Sequence, residues 1–240
     1  LEVLGPHCPG RYSRYCSQNT DGTLLFPGTL ARKLLDRAIE DDVGESPQLS
    51  VEDVAGYTDP VIVRNALHRL EITVDHVPNR VDAILENYLI FLRKEFPKYT
   101  EPFLYDDAVE LVDCCRKKGG GVALLSGNIR EGARVKLERF GVWDDFAFGV
   151  FGDDAASRSD LLWIVPEVAW DALGEAYTHT RIIIVGDTPN DARIARENGS
   201  RSLIVCRRPE WQSNIEAEQP TWLVDSLEET EKILEWMEEE

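Results

Sequence analysis

Hydrophobic and polar positions follow a repeating pattern in the C-terminal part of the chain. From about residue 103, short apolar runs of strand length alternate with segments in which apolar residues recur at helical spacing. The strand-like runs are GVALLSG, FAFGVFG, RIIIVG and SLIVC, at residues 121–127, 146–152, 181–186 and 202–206. Strictly alternating short strands and helices predict an α/β fold with a parallel sheet covered by helices on both faces.

The segments between these runs predict helices at residues 102–120, 128–142, 160–176 and 189–199. A last amphipathic segment, SLEETEKILEWMEEE, predicts a helix over residues 226–240. Ser226 and Glu229 have the spacing of a capping box, so we expect the last helix to open there.

Residues 27–100 differ because they contain apolar helical faces and no convincing strand. Asp59 followed by Pro60 predicts a helix start, with Asp59 as the N-cap and Pro60 at the first helical position. We therefore expect two domains: an α/β core formed by residues 1–26 and 101–240, and an inserted helical cap formed by residues 27–100.

Composition adds limits on partners and location. The chain has 44 acidic and 26 basic residues and a formal net charge of −18, which disfavours non-specific binding to nucleic acid or to an anionic membrane. No run is long enough for a transmembrane helix, and the first residues lack the apolar core of a secretory signal. Five cysteines, at positions 8, 16, 114, 115 and 206, match no zinc spacing and no closed disulfide set. We expect a cytoplasmic protein in which Cys114 and Cys115 are small buried or half-buried side chains.

The residues that follow each apolar run are candidates for chemistry, since ligands of open parallel sheets bind at the carboxyl ends of the strands. Ser126, Gly127 and Asn128 follow one strand and offer a hydroxyl and backbone N–H groups to an anion. Asp187 and Asp191, in GDTPND, suit a hard cation such as Mg²⁺. Each group taken alone is more often a helix cap, and Arg158 alone is more often a surface charge. Their common placement at one sheet edge favours a functional site.

In this order the motifs resemble the haloacid dehalogenase-like hydrolase superfamily, in its phosphoglycolate phosphatase-like branch. NTDGT at residues 19–23 is similar to the first motif of that superfamily, Ser126 to the second and GDTPND at residues 186–191 to the fourth. Arg158 stands where the third motif usually has lysine. The resemblance implies a Rossmann-like core with a helical cap inserted after the first loop.

The resemblance also implies a function: Mg²⁺-dependent hydrolysis of a small phosphorylated metabolite through an aspartyl-phosphate. Position 19 would carry the nucleophile, and Asp21 would be the general acid and base. Ser126, Gly127, Asn128 and Arg158 would bind the phosphoryl oxygens, and Asn19, Asp21, Asp187 and Asp191 would form the metal site. Asp21 favours phosphate esters over haloacids as substrates.

Asn19 departs from this pattern because a carboxamide is a poor nucleophile and a weaker ligand for Mg²⁺ than a carboxylate. The preceding segment, GRYSRYCSQ, is also polar where the central strand of such a sheet should be apolar. Three explanations are open: an unrelated segment joined to the chain just before Thr20, a natural pseudoenzyme, or a tolerated Asn19 with residual or deamidation-derived activity. The loss of strand hydrophobicity favours the first.

Two other functions compete with a phosphatase. One is a non-catalytic protein that binds a phosphate ligand, and the other is a sugar-phosphate mutase of the same superfamily. Substrate choice would come from the cap, where Thr58, Asp59, Arg64 and His68 are candidates.

Overall fold

The computed structural model describes residues 15–72, 77–174 and 177–239, and only the backbone of residues 15–18, 77 and 78. A six-stranded sheet, parallel at every pairing, forms the centre. Its order is β5 (Phe148–Val150), β4 (Gly121–Leu125), β1 (Tyr15–Gln18), β6 (Ile182–Gly186), β7 (Arg201–Val205) and β8 (Trp222–Val224). The predicted parallel sheet is confirmed, and β8 is a strand that the sequence pattern missed.

Alternate residues of β4 pack against opposite layers of helices, as the period of two in a strand requires. Val122 and Leu124 belong to one apolar cluster, and Ala123 and Leu125 to another. The first cluster includes side chains of α5 (Asp106–Lys117), α6 (Arg130–Glu138) and α10 (Thr230–Glu238). The second includes side chains of α7 (Arg158–Leu173) and α8 (Pro189–Glu197). A short helix, α9 (Gln212–Ala217), follows β7. The core is thus the expected three-layer α/β structure.

The central strand is β1, although its sequence, YCSQ, is polar. Its backbone pairs on both sides, Gln18 lying opposite Leu124 in β4 and opposite Val185 in β6. Backbone hydrogen bonds of a ladder do not depend on side-chain type, so the pairing forms despite the composition. Residues 1–14 of the predicted core lie outside the described residues.

The helical insertion lies between two short strands, β2 (Leu25–Phe26) and β3 (Phe103–Leu104), which pair antiparallel. Its helices are α1 (Leu30–Val43), α2 (Val51–Val54), α3 (Asp59–Arg69) and α4 (Val77–Glu95), the last continuing into a short 3₁₀ turn at Phe96–Lys98. They share a separate apolar core built around Leu35, Ile39, Leu67, Ile84 and Leu92. The described part of residues 27–100 contains no strand, as expected, and the limits of the cap at residues 27 and 100 stay a prediction.

Three predicted helix starts are wrong in detail. The helix predicted from residue 102 begins at Asp106, after strand β3. Thr58 is the N-cap of α3, while Asp59 is its first residue and uses its carboxylate on another helix. The last helix begins at Thr230, with no side-chain capping bond. The Ser226 hydroxyl instead donates to Asp107 at 3.4 Å, so contacts with α5 replace the predicted capping box.

In α5, Cys114 is half-buried and Cys115 is buried, as predicted. Among the described residues, no helix combines the length and apolar character that crossing a membrane requires.

Candidate active site

The predicted site residues meet at the carboxyl edge of the three central strands. Asn19 and Asp21 follow β1, Gly127 and Asn128 follow β4, and Asp187 follows β6. Together with Arg158 they line one chamber of about 150 Å³ between the core and the helical insertion. Ser126 and Asp191 do not line it and lie behind its wall, both buried. Six of the eight predicted site residues therefore line the chamber, and the other two lie behind the residues that face it.

The first loop is a tight turn that begins where β1 ends. The Asn19 N–H donates to the carbonyl of Val185 at 3.1 Å, which continues the ladder with β6 and holds Asn19 at the chamber. The chain then turns at Gly22, which has a φ of +88°. A side chain at Gly22 would overlap the carboxylate of Asp187, so the turn requires glycine for its backbone angle and for this close approach. The first loop thereby packs directly against the acidic residue after β6.

Asp187 is a buried carboxylate in an acidic setting. Thr23 donates a hydrogen bond to its Oδ1 at 2.9 Å. Burial, together with the neighbouring charge of Asp191, raises the pKa of Asp187 to about 7, and the hydrogen bond from Thr23 opposes this shift. An acid this reluctant to ionise is suited to a cation, because a positive ion would stabilise its charged form.

Asp191 organises the loop after β6 through hydrogen bonds to both of its oxygens. Oδ1 accepts from Nη2 of Arg158 at 2.6 Å, and Oδ2 accepts from the Thr188 hydroxyl at 2.7 Å. The backbone N–H groups of Asp187 and Thr188 also donate to Oδ2, at 3.3 and 3.1 Å. These contacts hold Arg158, the first residue of α7, with its guanidinium at the chamber wall. Asp191 as a metal ligand stays a prediction.

The loop after β4 is closely covered by the helical insertion. The Ser126 hydroxyl accepts hydrogen bonds from the backbone N–H of Asn128 at 3.2 Å and from its side-chain amide at 3.0 Å. A side chain at Gly127 would overlap the carbonyl oxygen of Tyr57 and crowd the guanidinium of Arg158. Glycine at this position therefore lets a cap segment and a cationic side chain approach the same loop.

Lys136 is a site residue that the sequence analysis missed. It lies in α6 with only 1% of its surface exposed, and its ammonium group contacts Oδ2 of Asp21 and Oδ1 of Asn128. A signal was available. Ala133 and Leu137 mark the buried face of α6, and position 136 lies on that face, where lysine is unusual.

The cap contributes Asp59 to the chamber wall. Its backbone N–H donates to the carbonyl of Gly127 at 2.7 Å, and its Oδ2 accepts from the N–H of Ile129 at 2.9 Å. Burial raises the pKa of Asp59 to about 6, against the opposing effects of the Lys136 charge and of the Ile129 hydrogen bond. Of the other cap candidates, Thr58 is buried beside it, whereas Arg64 and His68 are exposed and do not line the chamber.

The candidate metal ligands at the chamber suit Mg²⁺ better than a metal ion that is coordinated by protein side chains alone. No group of three or more His, Cys, Asp or Glu side chains in the described ranges forms a metal-binding cluster. Mg²⁺ uses one or two carboxylates together with water and substrate oxygens, so it does not need such a cluster. Asp187 provides a desolvated carboxylate at the chamber, and Asn19 and Asp21 line the same wall.

Comparisons with known proteins agree with this architecture. The model of the haloacid dehalogenase-like hydrolase family matches residues 20–199. The chain therefore belongs to the haloacid dehalogenase-like hydrolase family. No curated protein sequence matches the chain.

Solved structures with the same fold include a predicted phosphoglycolate phosphatase from Haemophilus somnus 129PT. It is 16% identical, with 94% of this chain and 99% of that one covered and a TM-score of 0.66. CbbY from Rhodobacter sphaeroides in complex with phosphate is 17% identical, with 90% and 95% covered and a TM-score of 0.67. A Bacteroides vulgatus protein provisionally named a beta-phosphoglucomutase is 16% identical, with 95% and 90% covered and a TM-score of 0.67.

Proposed function

We propose that this fold is built for Mg²⁺-dependent hydrolysis of a small phosphate monoester, and that Asn19 impairs the reaction in this chain. The observation that carries the proposal is the single chamber lined by Asn19, Asp21, Asn128, Arg158 and Asp187. Its volume of about 150 Å³ suits a small metabolite, since a water molecule in the liquid occupies about 30 Å³.

The phosphoryl group would bind between α7 and the loop after β4. Arg158 can donate from the guanidinium nitrogen that Asp191 does not hold, and Gly127 offers a backbone N–H in the loop before α6. These groups form the proposed phosphate cradle. The N–H groups of Asn128 already donate to Ser126 and Asp21, so Asn128 would act by shaping this loop. Ser126 lies outside the chamber and supports the cradle through its two hydrogen bonds with Asn128. The net charge of −18 makes such local positive groups necessary for any phosphate ligand.

Asp187, the carbonyl oxygen of Asp21 and the side chain at position 19 would hold Mg²⁺. When bound, Mg²⁺ polarises the phosphoryl group and neutralises charge that develops during transfer. Asp191 would act indirectly, because its oxygens already accept hydrogen bonds from Arg158 and Thr188.

Asp21 would protonate the leaving oxygen of the ester as the P–O bond breaks, and would later take a proton from the attacking water. The missing component is the nucleophile. The carboxamide of Asn19 lacks the charge and nucleophilicity of a carboxylate, so the covalent step is strongly slowed in this chain. Binding needs no nucleophile, which leaves the phosphate cradle intact.

Two alternatives carry specific support. Asn19 favours a non-catalytic binding protein for a small phosphorylated metabolite. The fold shared with the provisionally named beta-phosphoglucomutase favours a sugar-phosphate mutase. A mutase would retain the phosphoryl group and depend on a bisphosphate activator, whereas a phosphatase would release inorganic phosphate without one.

The test is steady-state phosphate release from a panel of small phosphate esters with Mg²⁺, comparing the chain with its Asn19→Asp variant. We expect release by the variant and far less by the parent chain. Binding of esters by both proteins, with no release by either, would instead support the binding protein. Release that requires a bisphosphate would support the mutase.

A further inference from the structure

Lys136 is a buried charge in the middle of a helix. It belongs to the buried face of α6 with Ala133 and Leu137, and 1% of its surface is exposed. Removing an ammonium group from water is unfavourable unless charged and polar partners replace the water. Lys136 has two such partners, the carboxylate of Asp21 and the amide oxygen of Asn128. An apolar side chain could fill the same space, so packing alone does not account for a lysine at this position.

Among the described residues, hydrogen-bond donors reach only one of the two carboxylate oxygens of Asp21. Oδ2 accepts from the ammonium of Lys136 and from the amide of Asn128, the latter at 3.2 Å. Oδ1 is buried, and no donor among the described residues reaches it. The same Asn128 amide also donates to Ser126 at 3.0 Å, which fixes the direction from which it reaches Asp21. One carboxylate oxygen is therefore held by two donors, and the other is unpaired.

We propose that Lys136 is a positioning residue that holds the carboxyl group of Asp21, through Oδ2, at the chamber wall where it exchanges a proton with the substrate. This inference rests on the proposed hydrolase function. When the P–O bond breaks, its electron pair passes to the leaving oxygen, which takes the proton from the carboxyl group of Asp21. The carboxylate that remains is stabilised by the Lys136 charge.

The same geometry serves the second half of the reaction in a chain that carries aspartate at position 19. Water attacks the phosphorus and gives a proton to the carboxylate of Asp21, and the bond between phosphorus and the aspartyl oxygen breaks, which returns the carboxylate at position 19. Lys136 exchanges no proton with the substrate in either half. Its contribution is the orientation of Asp21 and a positive charge beside it.

The leaving group provides the test. Nitrophenolate departs without much help from an acid, whereas an alkoxide needs a proton. In the Asn19→Asp background, we compare Lys136→Met and Lys136→Gln on p-nitrophenyl phosphate and on glycerol 2-phosphate with Mg²⁺. We expect kcat on glycerol 2-phosphate to fall about 100-fold, and kcat on p-nitrophenyl phosphate to fall much less, with little change in KM. Thermal unfolding confirms that each variant is folded, and Lys136→Gln serves if Lys136→Met does not fold.

A double-mutant cycle distinguishes action through Asp21 from a separate role. In the Asn19→Asp/Asp21→Asn background, Lys136→Met should add little further loss on glycerol 2-phosphate. Equal losses on both esters, a rise in KM alone, or full additivity with Asp21→Asn would overturn the positioning role and leave the hydrolase function standing. A folded Asn19→Asp variant that releases no phosphate from either ester would overturn the hydrolase function and this inference with it.

Discussion

Asp59 of the cap accepts a hydrogen bond from the backbone N–H of Ile129, 2.9 Å away, at the start of α6 in the core. Ile129 is the N-cap residue of α6, and in a capping box its N–H would be accepted by the side chain of the third helical residue. That residue is Gly132, which has no side chain, so Asp59 supplies the acceptor from the cap. The same helix carries Lys136, which contacts Asp21. The contact between the cap and α6 and the contact between α6 and Asp21 are therefore connected through one helix. Cap and core therefore form the site jointly.

This cap contact predicts a difference between two substitutions of Asp59. Asp59→Asn keeps an oxygen acceptor for the Ile129 N–H, whereas Asp59→Ala leaves that buried donor unpaired. We expect the alanine variant to be less stable than the asparagine variant by about 1 kcal/mol, measured by urea unfolding at pH 7. Equal stability of the two variants would show that the hydrogen bond contributes nothing.

The raised pKa of Asp59 predicts a pH dependence of folding. Burial lifts this pKa from the ordinary 3.8 to about 6, so the folded protein holds the proton more tightly than the unfolded chain. The contribution of Asp59 to stability is therefore full below pH 3.8 and is lost as the pH rises to about 6. We expect the parent chain to lose up to about 3 kcal/mol more than Asp59→Asn across this window. Parallel pH profiles of urea unfolding for the two proteins would contradict the assignment.

The buried pair of Arg158 and Asp191 predicts separable effects on folding and on phosphate binding. Arg158→Met leaves Asp191 without its ion-pair partner, which should lower the free energy of unfolding by about 3 kcal/mol or more. Adding Asp191→Asn removes the unpaired charge and should recover part of that loss. Phosphate binding, measured calorimetrically with Mg²⁺, should be weak in both variants because neither has the guanidinium. Normal phosphate binding by the double variant would exclude Arg158 from the cradle.

The carboxylates at the chamber wall predict how Mg²⁺ changes the thermal stability of the Asn19→Asp variant. A new carboxylate beside Asp21 and Asp187 adds repulsion, so we expect a lower Tm than the parent chain in a chelator. Mg²⁺ at about 100 times its Kd should then stabilise the variant by about 2.7 kcal/mol relative to the chelated state. Asn19→Ala, which adds no charge, is the matched control and should gain far less. An equal gain of Tm in both variants would place the cation elsewhere.

The chemistry at the sheet edge could be predicted from the sequence because parallel strands end at one edge. Asp187 and Asn128 each follow an apolar run directly, so reading the strands was enough to bring them together. Asp59 could not be placed in this way. Its partner Ile129 is 70 positions away in the sequence, and the local pattern of Asp59 followed by Pro60 fits an N-cap equally well.

Lys136 was missed, whereas β1 was expected only through the family resemblance, in a segment that looked too polar for a central strand. The face of α6 was defined by its apolar residues, so a buried lysine on that face was treated as one more polar position. The segment of β1 lacks the apolar run that marks a central strand, yet its backbone pairs with two neighbours whose own hydrophobicity supports the sheet. Hydrophobic periodicity detects buried apolar side chains. Neither the buried charge of Lys136 nor the backbone pairing of β1 gives that signal.

The most direct test of the account is Mg²⁺-dependent release of phosphate from p-nitrophenyl phosphate by three folded proteins: the parent chain, Asn19→Asp, and Asn19→Asp/Asp187→Asn. The account predicts turnover by Asn19→Asp in Mg²⁺, loss of that turnover in a chelator, and little turnover by the other two proteins. A folded Asn19→Asp variant with no more activity than the parent chain would contradict the claim that this chamber is a hydrolase site silenced at position 19.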